Sequence, residues 1–141
     1  NHTYVFVIGD HGYYMVPPVE YASISGIPIT SLLPKDRIDM IIEKTRSSGA
    51  DVIKLKGATT YAPGAVIAMM ADAVLKGRNR VMSVSTCPEG VYSCSAVSIG
   101  VPVVLGKNGV ERIIELKLSS DSQMLFDKSV NKVKQAITQL K

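Results

Sequence analysis

The sequence is poor in the residues that mark specialised chain classes. Its 141 residues include two cysteines, two histidines and no tryptophan. Cys87 and Cys94 lack the C-x-x-C spacing of zinc or redox sites, and His2 and His11 form no H-x-x-x-H pattern, so we expect no metal site. No apolar run reaches the roughly 18 residues of a membrane-spanning helix, and the first residues lack the features of a signal peptide. We therefore expect a cytoplasmic protein with free thiols and no membrane partner.

The charges are nearly balanced and scattered along the chain. Sixteen Lys and Arg residues oppose twelve Asp and Glu residues, which gives a formal net charge of +4. Basic clusters such as Lys76, Arg78 and Arg80 are interrupted, and aromatic residues do not interleave with them. This pattern favours a solvated surface and no nucleic-acid partner, since single strands are bound by aromatic stacking beside a basic groove. A hydrophobic fraction of 46% is typical of one globular domain over residues 1–141.

Apolar periodicity predicts most of the N-terminal half. Tyr4 to Ile8 is a β-branched and aromatic run, which predicts a buried strand that ends in the turn Gly9 to Gly12. An i, i+3, i+4 apolar stripe from about Lys35 to about Lys56 predicts one long helix, with Gly49 as a packing point. Residues 57–64 contain two glycines and a proline, so they predict a break before a second helix.

Short strands are predicted in the C-terminal half. Val81 to Thr86 and Ala96 to Leu105 are strand candidates. Asn108-Gly109 is a strong hairpin signal, and it predicts an antiparallel return over Val110 to Leu118. A capping box, Ser120-x-x-Gln123, predicts the start of a closing amphipathic helix.

This order of elements predicts the fold class. A strand, a long broken helix, antiparallel strands and a final helix show no βαβ alternation, which favours an α+β domain with an antiparallel sheet packed against long helices. The chain has neither G-x-G-x-x-G after a strand nor G-x-x-x-x-G-K-S/T, so a Rossmann domain is not expected and no phosphate-binding loop is predicted.

Two positions are candidates for chemistry on residue type alone. His11 follows the first predicted strand in the segment Gly9-Asp10-His11-Gly12, and a histidine can both donate and accept a proton near neutral pH. An exposed turn histidine without function fits the same pattern. The Thr59-Thr60 hydroxyls at the helix break can bind a small polar ligand, or they can satisfy backbone groups that the break leaves free.

Three segments resemble a known family. Gly9-Asp10-His11-Gly12 followed by Met15-Val16-Pro17 resembles the G-x-H-G-D-x-M-V-P segment of the lactate/malate dehydrogenases. Lys56-Gly57 through Tyr61-Ala62-Pro63-Gly64 resembles their K-G-x-x-x-Y-A-P segment, and residues 100–111 resemble their G-V-P-V-x-L-G-x-N-G-V-E hairpin. The segments follow family order and spacing, and the match spans essentially the whole chain.

The resemblance implies a role for each site residue. It implies that His11 is the catalytic proton donor and acceptor for a 2-oxo or 2-hydroxy acid, that Thr59 binds substrate, and that Pro63 lies near the nicotinamide of NAD. The family places the carboxylate partner of this histidine, the substrate-binding arginines and the dinucleotide loop upstream of Asn1. We therefore expect the substrate-side C-terminal domain of an NAD-dependent malate dehydrogenase, inactive without its N-terminal NAD-binding domain.

Several alternatives stay open. The family usually has Asp where this chain has Tyr13, which places the local electrostatics in doubt. Malate is favoured over lactate, but an L-lactate dehydrogenase fragment fits the same motifs. A non-catalytic assembly module on the same scaffold is a further alternative. Family members form dimers or tetramers, so a homodimer or homotetramer is expected.

Overall fold

The structure, a computed structural model, describes residues 3–140. These residues form two small antiparallel sheets, two consecutive long helices and a closing helix. In chain order the elements are β1 (Thr3–Tyr4), a 3-10 turn (Val19–Tyr21), β2 (Ser23–Ile24), β3 (Ile27–Pro28), α1 (Ile29–Leu32), α2 (Lys35–Lys56), α3 (Tyr61–Leu75), β4 (Arg80–Thr86), β5 (Ile99–Gly106), β6 (Gly109–Ile113) and α4 (Ser120–Thr138).

The first sheet contains β1, β2 and β3 in sequential order. The predicted buried strand over Tyr4 to Ile8 is wrong in extent and in burial, because β1 ends at Tyr4 and most of the run is exposed. Only its last residue, Ile8, is buried, and it forms an isolated bridge with Val16. The apolar run therefore lies at an edge of the described residues instead of inside them.

The predicted long helix and the break after it are confirmed. Helix α2 spans Lys35–Lys56 and ends at Gly57, whose φ of 77° is left-handed and whose N–H donates to the Ile53 carbonyl at 2.8 Å. Pro63 lies in the first turn of α3, where its missing N–H needs no partner, and the two helices differ in direction by 116°. Gly49 is not a packing point, because a Cβ there would have no neighbour within 4 Å among the described residues.

The second sheet contains β4, β5 and β6, all antiparallel. The predicted hairpin is confirmed, with Gly106 paired to Gly109 across a two-residue loop. The returning strand is shorter than predicted, since β6 ends at Ile113. Beyond it, the Ile114 N–H still donates to the Pro102 carbonyl, at 2.8 Å.

The core lies around β5 and the apolar face of α4. Val101, Val103 and Phe126 are fully buried, and the Phe126 ring centroid lies 5.2 Å from that of Tyr92. The predicted closing helix is confirmed, but its N-cap is Ser119, one residue before the predicted capping box. The Ser119 side chain accepts a hydrogen bond from the third residue of the helix.

The architecture is the expected α+β fold with antiparallel sheets and helices. Over residues 3–140, no single helix is long and apolar enough to cross a membrane; α2 and α3 meet that test only when taken together as a bent pair.

Candidate functional site

A loop between Ile8 and Val16 carries the predicted catalytic residue, His11. The Ile8 N–H donates to the Val16 carbonyl at 2.9 Å and the Val16 N–H donates back at 2.8 Å, which closes the loop at its base. Gly9 exchanges two further backbone hydrogen bonds with Gly100 of β5, at 2.9 and 3.0 Å. The backbone before His11 is thereby joined to the second sheet.

Glycine is required where this loop approaches β5 and α4. Gly9 has a φ of +91°, and a Cβ at this position would lie 2.8 Å from Ser129 Oγ. A Cβ at Gly100 would lie 3.0 Å from the Gly9 carbonyl oxygen. Loop, strand and helix therefore meet through two residues that have no side chain.

Asp10 joins the loop to α4. Its N–H donates to Ser129 Oγ, and Lys132 Nζ donates to Asp10 Oδ2 at 2.7 Å. The Asp10 side chain is only 10% exposed, and among residues 3–140 its Oδ1 is buried without a hydrogen-bond partner. The hydrogen-bond partner of the Asp10 carboxylate is thus Lys132.

His11 itself is exposed and lines a cavity of about 370 Å³. The other polar side chains of this cavity are Asp10 and three serines of β4 and the segment before β5: Ser83, Ser85 and Ser98. Within residues 3–140, the hydrogen bonds of the loop involve its backbone and Asp10, and none involves the imidazole. An accessible imidazole on a fixed backbone can donate or accept a proton at a bound ligand.

Tyr13, the residue that departs from the family pattern, faces a cation. The Arg46 Cζ atom of α2 lies 5.9 Å from the Tyr13 ring centroid. The Arg46 side chain is only 16% exposed, and among the described residues its buried Nε has no hydrogen-bond partner. Arg46 also forms an ion pair with Glu43 of the same helix, so Tyr13 adds a cation–π contact to a guanidinium that already has a carboxylate partner.

Thr59 and Pro63 lie apart from this cavity in the described structure. Both are exposed at the break between α2 and α3, and neither lines the cavity beside His11. The three predicted site residues are therefore not brought together by residues 3–140 alone, and their roles stay predictions.

A separate cavity of about 580 Å³ is lined by polar residues of several elements, Glu20 and Arg46 among them. Burial raises the pKa of Glu20, but hydrogen bonds from Ser119 and Ser122 outweigh it and hold this pKa below its ordinary value of 4.5. Glu20 accepts the Ser119 N–H at 2.7 Å, so its charge stabilises the start of α4.

Three residues that contact the loop of His11 were not predicted from the sequence: Arg46, Ser129 and Lys132. Ser129 carried a detectable signal, because it is a polar residue on the apolar stripe that includes Phe126 and Val133. A hydroxyl on such a stripe is expected to have a buried hydrogen-bond partner, and here that partner is the Asp10 N–H. Nothing local to Arg46 or Lys132 distinguishes them from solvated charges.

The described residues offer few other chemical groups. Over residues 3–140, no three His, Cys, Asp or Glu side chains are grouped to hold a metal ion. Burial raises the pKa of the Cys94 thiol, which keeps it protonated and unreactive near neutral pH.

Comparisons with known proteins agree on the family. The family described as lactate/malate dehydrogenase, alpha/beta C-terminal domain, matches residues 1–141. A malate dehydrogenase of Bacillus licheniformis is 45% identical over 131 residues, which are 92% of this chain and 42% of that protein. The structure of a Salinibacter ruber malate dehydrogenase has a TM-score of 0.94 at 35% identity, covering 98% of this chain and 46% of the other.

A lactate dehydrogenase structure from a Medee basin deep-sea metagenome library is also similar, with a TM-score of 0.91 at 27% identity over 94% of this chain and 45% of the other. The chain thus spans less than half the length of the relatives that it matches. A match over all 141 residues places it in one part of such proteins. The chain belongs to the lactate/malate dehydrogenase family, in which it corresponds to the alpha/beta C-terminal domain.

Proposed function

We propose that the chain is the substrate-side domain of an NAD-dependent malate dehydrogenase, with His11 as the proton donor and acceptor. The observation that carries the proposal is the exposure of His11 on a fixed loop. Its imidazole is exposed beside a cavity, on a loop whose base is fixed by backbone hydrogen bonds. General acid–base catalysis needs this combination of an accessible proton-transfer group and a fixed backbone.

The proposed reaction needs one proton and one hydride. In the reductive direction the His11 imidazolium donates its proton to the carbonyl oxygen of the oxo acid while the carbonyl carbon receives the hydride. In the oxidative direction neutral His11 would accept the hydroxyl proton, and the oxidised nicotinamide of NAD would accept the hydride that the substrate carbon loses. His11 suits both directions because histidine exists in both protonation states near neutral pH.

Over residues 3–140, no carboxylate is hydrogen-bonded to the His11 imidazole. Asp10 is adjacent in sequence, but its Oδ2 is bound by Lys132 at 2.7 Å. We propose that a carboxylate partner for His11 belongs to an N-terminal dinucleotide-binding domain, together with the groups that bind the substrate carboxylate. An N-terminal domain is supported by the share of each relative that the chain covers, which is below half.

The described residues fit a nicotinamide cofactor only at its edge. The sequence has no glycine-rich phosphate loop, so the phosphates would be held elsewhere. Pro63 and Thr59 are exposed at the α2–α3 break and would form a wall beside the nicotinamide and the substrate. When bound, NADH supplies the hydride for the substrate carbon.

The exposed apolar side chains of α2 and α3 support partners for this domain. Leu55, Tyr61 and Leu75 are each more than 80% exposed, and Ile67 is 65% exposed. Soluble proteins seldom leave such a surface uncovered. We propose that the N-terminal domain and a second subunit of a homodimer or homotetramer cover it.

Malate is the proposed substrate, since the similar sequences at 40–45% identity are named malate dehydrogenases. The test replaces the matching C-terminal part of the Bacillus licheniformis enzyme by residues 1–141; we call this protein the joined enzyme. NADH oxidation is measured with oxaloacetate and with pyruvate.

We expect turnover with oxaloacetate, and a fall of roughly 10²–10⁴-fold in kcat for His11→Gln, a typical loss for a general acid–base residue. Circular dichroism of the variant controls for folding. Turnover with pyruvate alone would identify a lactate dehydrogenase. A folded joined enzyme that is inactive with both acids would favour the assembly module, and full activity of His11→Gln would refute the assigned role.

A further inference from the structure

We propose that Asp10 and Lys132 are positioning residues for His11, and that their ion pair holds the catalytic loop against α4. The inference rests on the proposed function, because it assigns a purpose to the position of the imidazole. It concerns a contact between residues 122 apart in sequence, on the first loop and on the last helix.

Two sets of contacts attach this loop to the rest of the domain. Backbone hydrogen bonds from Gly9 to Gly100 fix the base of the loop on β5. Beyond Gly9, the contacts are made with α4: the Asp10 N–H donates to Ser129 Oγ, and Lys132 Nζ donates to Asp10 Oδ2. The α4 contacts lie directly before His11, so they control the direction in which its side chain leaves the backbone.

The Lys132 side chain is half-exposed, but its ammonium end lies beside the residue that follows His11. A Cβ at Gly12 would lie 3.0 Å from Asp10 Oδ2 and 3.1 Å from Lys132 Nζ. The same Nζ atom lies 5.6 Å from the Tyr14 ring centroid. Both neighbours of His11, Asp10 and Gly12, therefore contact or closely approach the same ammonium group.

The charges explain why lysine is needed. The Asp10 side chain is 10% exposed, and among the described residues its only charged partner is Lys132. A carboxylate this buried needs a countercharge. Without Lys132, the carboxylate loses its countercharge at the residue directly before His11. We expect it then to compete for the imidazole, and a hydrogen bond between them would turn the imidazole away from the substrate.

The test uses four variants of the joined enzyme: Lys132→Met, Lys132→Arg, Asp10→Asn/Lys132→Met, and the matched control Lys128→Met, which removes a lysine one turn earlier in α4. Steady-state kinetics gives kcat and KM separately. Hydrogen–deuterium exchange of the peptide that contains residues 9–16 reports how firmly the loop is held.

We expect Lys132→Met to lower kcat roughly 10- to 100-fold with little change in KM, because misplacement of a catalytic group by about 1 Å has effects of this size. Exchange in the loop should rise. Lys132→Arg should restore both readouts, and Lys128→Met should match the parent. The double variant should be more active than Lys132→Met, since the unpaired carboxylate that competes for His11 is gone.

A merely structural ion pair predicts a different order, with the double variant no better than the single one. That order, or an unchanged kcat in Lys132→Met, would overturn the inference while an inactive His11→Gln variant still supports the proposed function. If His11→Gln were fully active, the proposed function would be refuted. The positioning role would then fall with it, even if Lys132→Met showed faster exchange in the loop.

Discussion

Replacing Gly9 by alanine tests the crowding where the loop of His11 meets α4. The substitution adds a Cβ 2.8 Å from Ser129 Oγ and 3.3 Å from Ser129 Cβ, at a residue whose φ is +91°. Two costs follow from this. A left-handed backbone costs a residue with a Cβ about 1–2 kcal/mol, and overpacking of a filled site costs about 1–3 kcal/mol more. The expected loss in the free energy of unfolding is the sum, about 2–5 kcal/mol.

Gly26 provides a matched control. Its φ is +85°, and a Cβ there would meet nothing within 4 Å among the described residues. Gly26→Ala should therefore show the backbone cost alone, about 1–2 kcal/mol. Urea unfolding of the 141-residue chain measures both variants, and the difference between them gives the cost of crowding by Ser129.

A third variant identifies the atom responsible. In a Ser129→Ala background the contact with Oγ is absent, so Gly9→Ala should cost less there than in the parent chain. Equal losses for Gly9→Ala and Gly26→Ala would refute the reasoning, because the left-handed backbone would then account for the whole effect.

Three further substitutions have defined expectations. Glu20→Gln should lower stability at neutral pH by about 0.5–1.5 kcal/mol, since the Ser119 N–H loses a charged acceptor. The pKa of Glu20 is held below 4.5, so the parent chain should lose this contribution as the pH falls below that value. Urea unfolding from neutral pH to pH values below 4.5 should therefore show a shallower decline in the free energy of unfolding for Glu20→Gln than for the parent. Tyr92→Phe should cost about 1–3 kcal/mol in the same measurement, because the hydroxyl bridges a backbone carbonyl at 2.7 Å and a backbone N–H at 2.8 Å that would lose their partner. Tyr13→Leu should lower the free energy of unfolding by about 0.5–1 kcal/mol, because it removes the cation–π contact with the Arg46 guanidinium; an unchanged value in the same measurement would contradict this expectation.

The sequence correctly predicted the helices and turns that depend on interactions between residues close together in the chain. The Asn108-Gly109 hairpin and the helix from Lys35 to Lys56 follow from turn chemistry and apolar periodicity, which act over a few residues. The prediction for the run from Tyr4 to Ile8 was wrong for a physical reason. An apolar run indicates that its side chains are buried, but it does not indicate which part of the protein buries them. Gly49 failed for the same reason, since it lies on a helix half that the described residues leave exposed.

The same contrast between short-range and long-range interactions applies to the candidate site. His11 could be found because a short motif surrounds it, and its role stays a prediction, as do those of Thr59 and Pro63. Ser129 and Lys132 could not be assigned to the site from periodicity, because their partner Asp10 is more than 100 residues away in sequence. Pairings of this kind depend on how the whole chain folds, and only the structure reveals them.

The contacts of Asp10 with α4 also determine when the site is completed during synthesis. The loop of His11 leaves the ribosome before its partners on α4, which emerge 119 and 122 residues later. Contacts of such sequence separation form late, because the intervening chain must first lose its conformational freedom. The contacts between this loop and α4 therefore form after translation of almost the entire domain, and nascent chains that stop short of α4 carry the histidine without them.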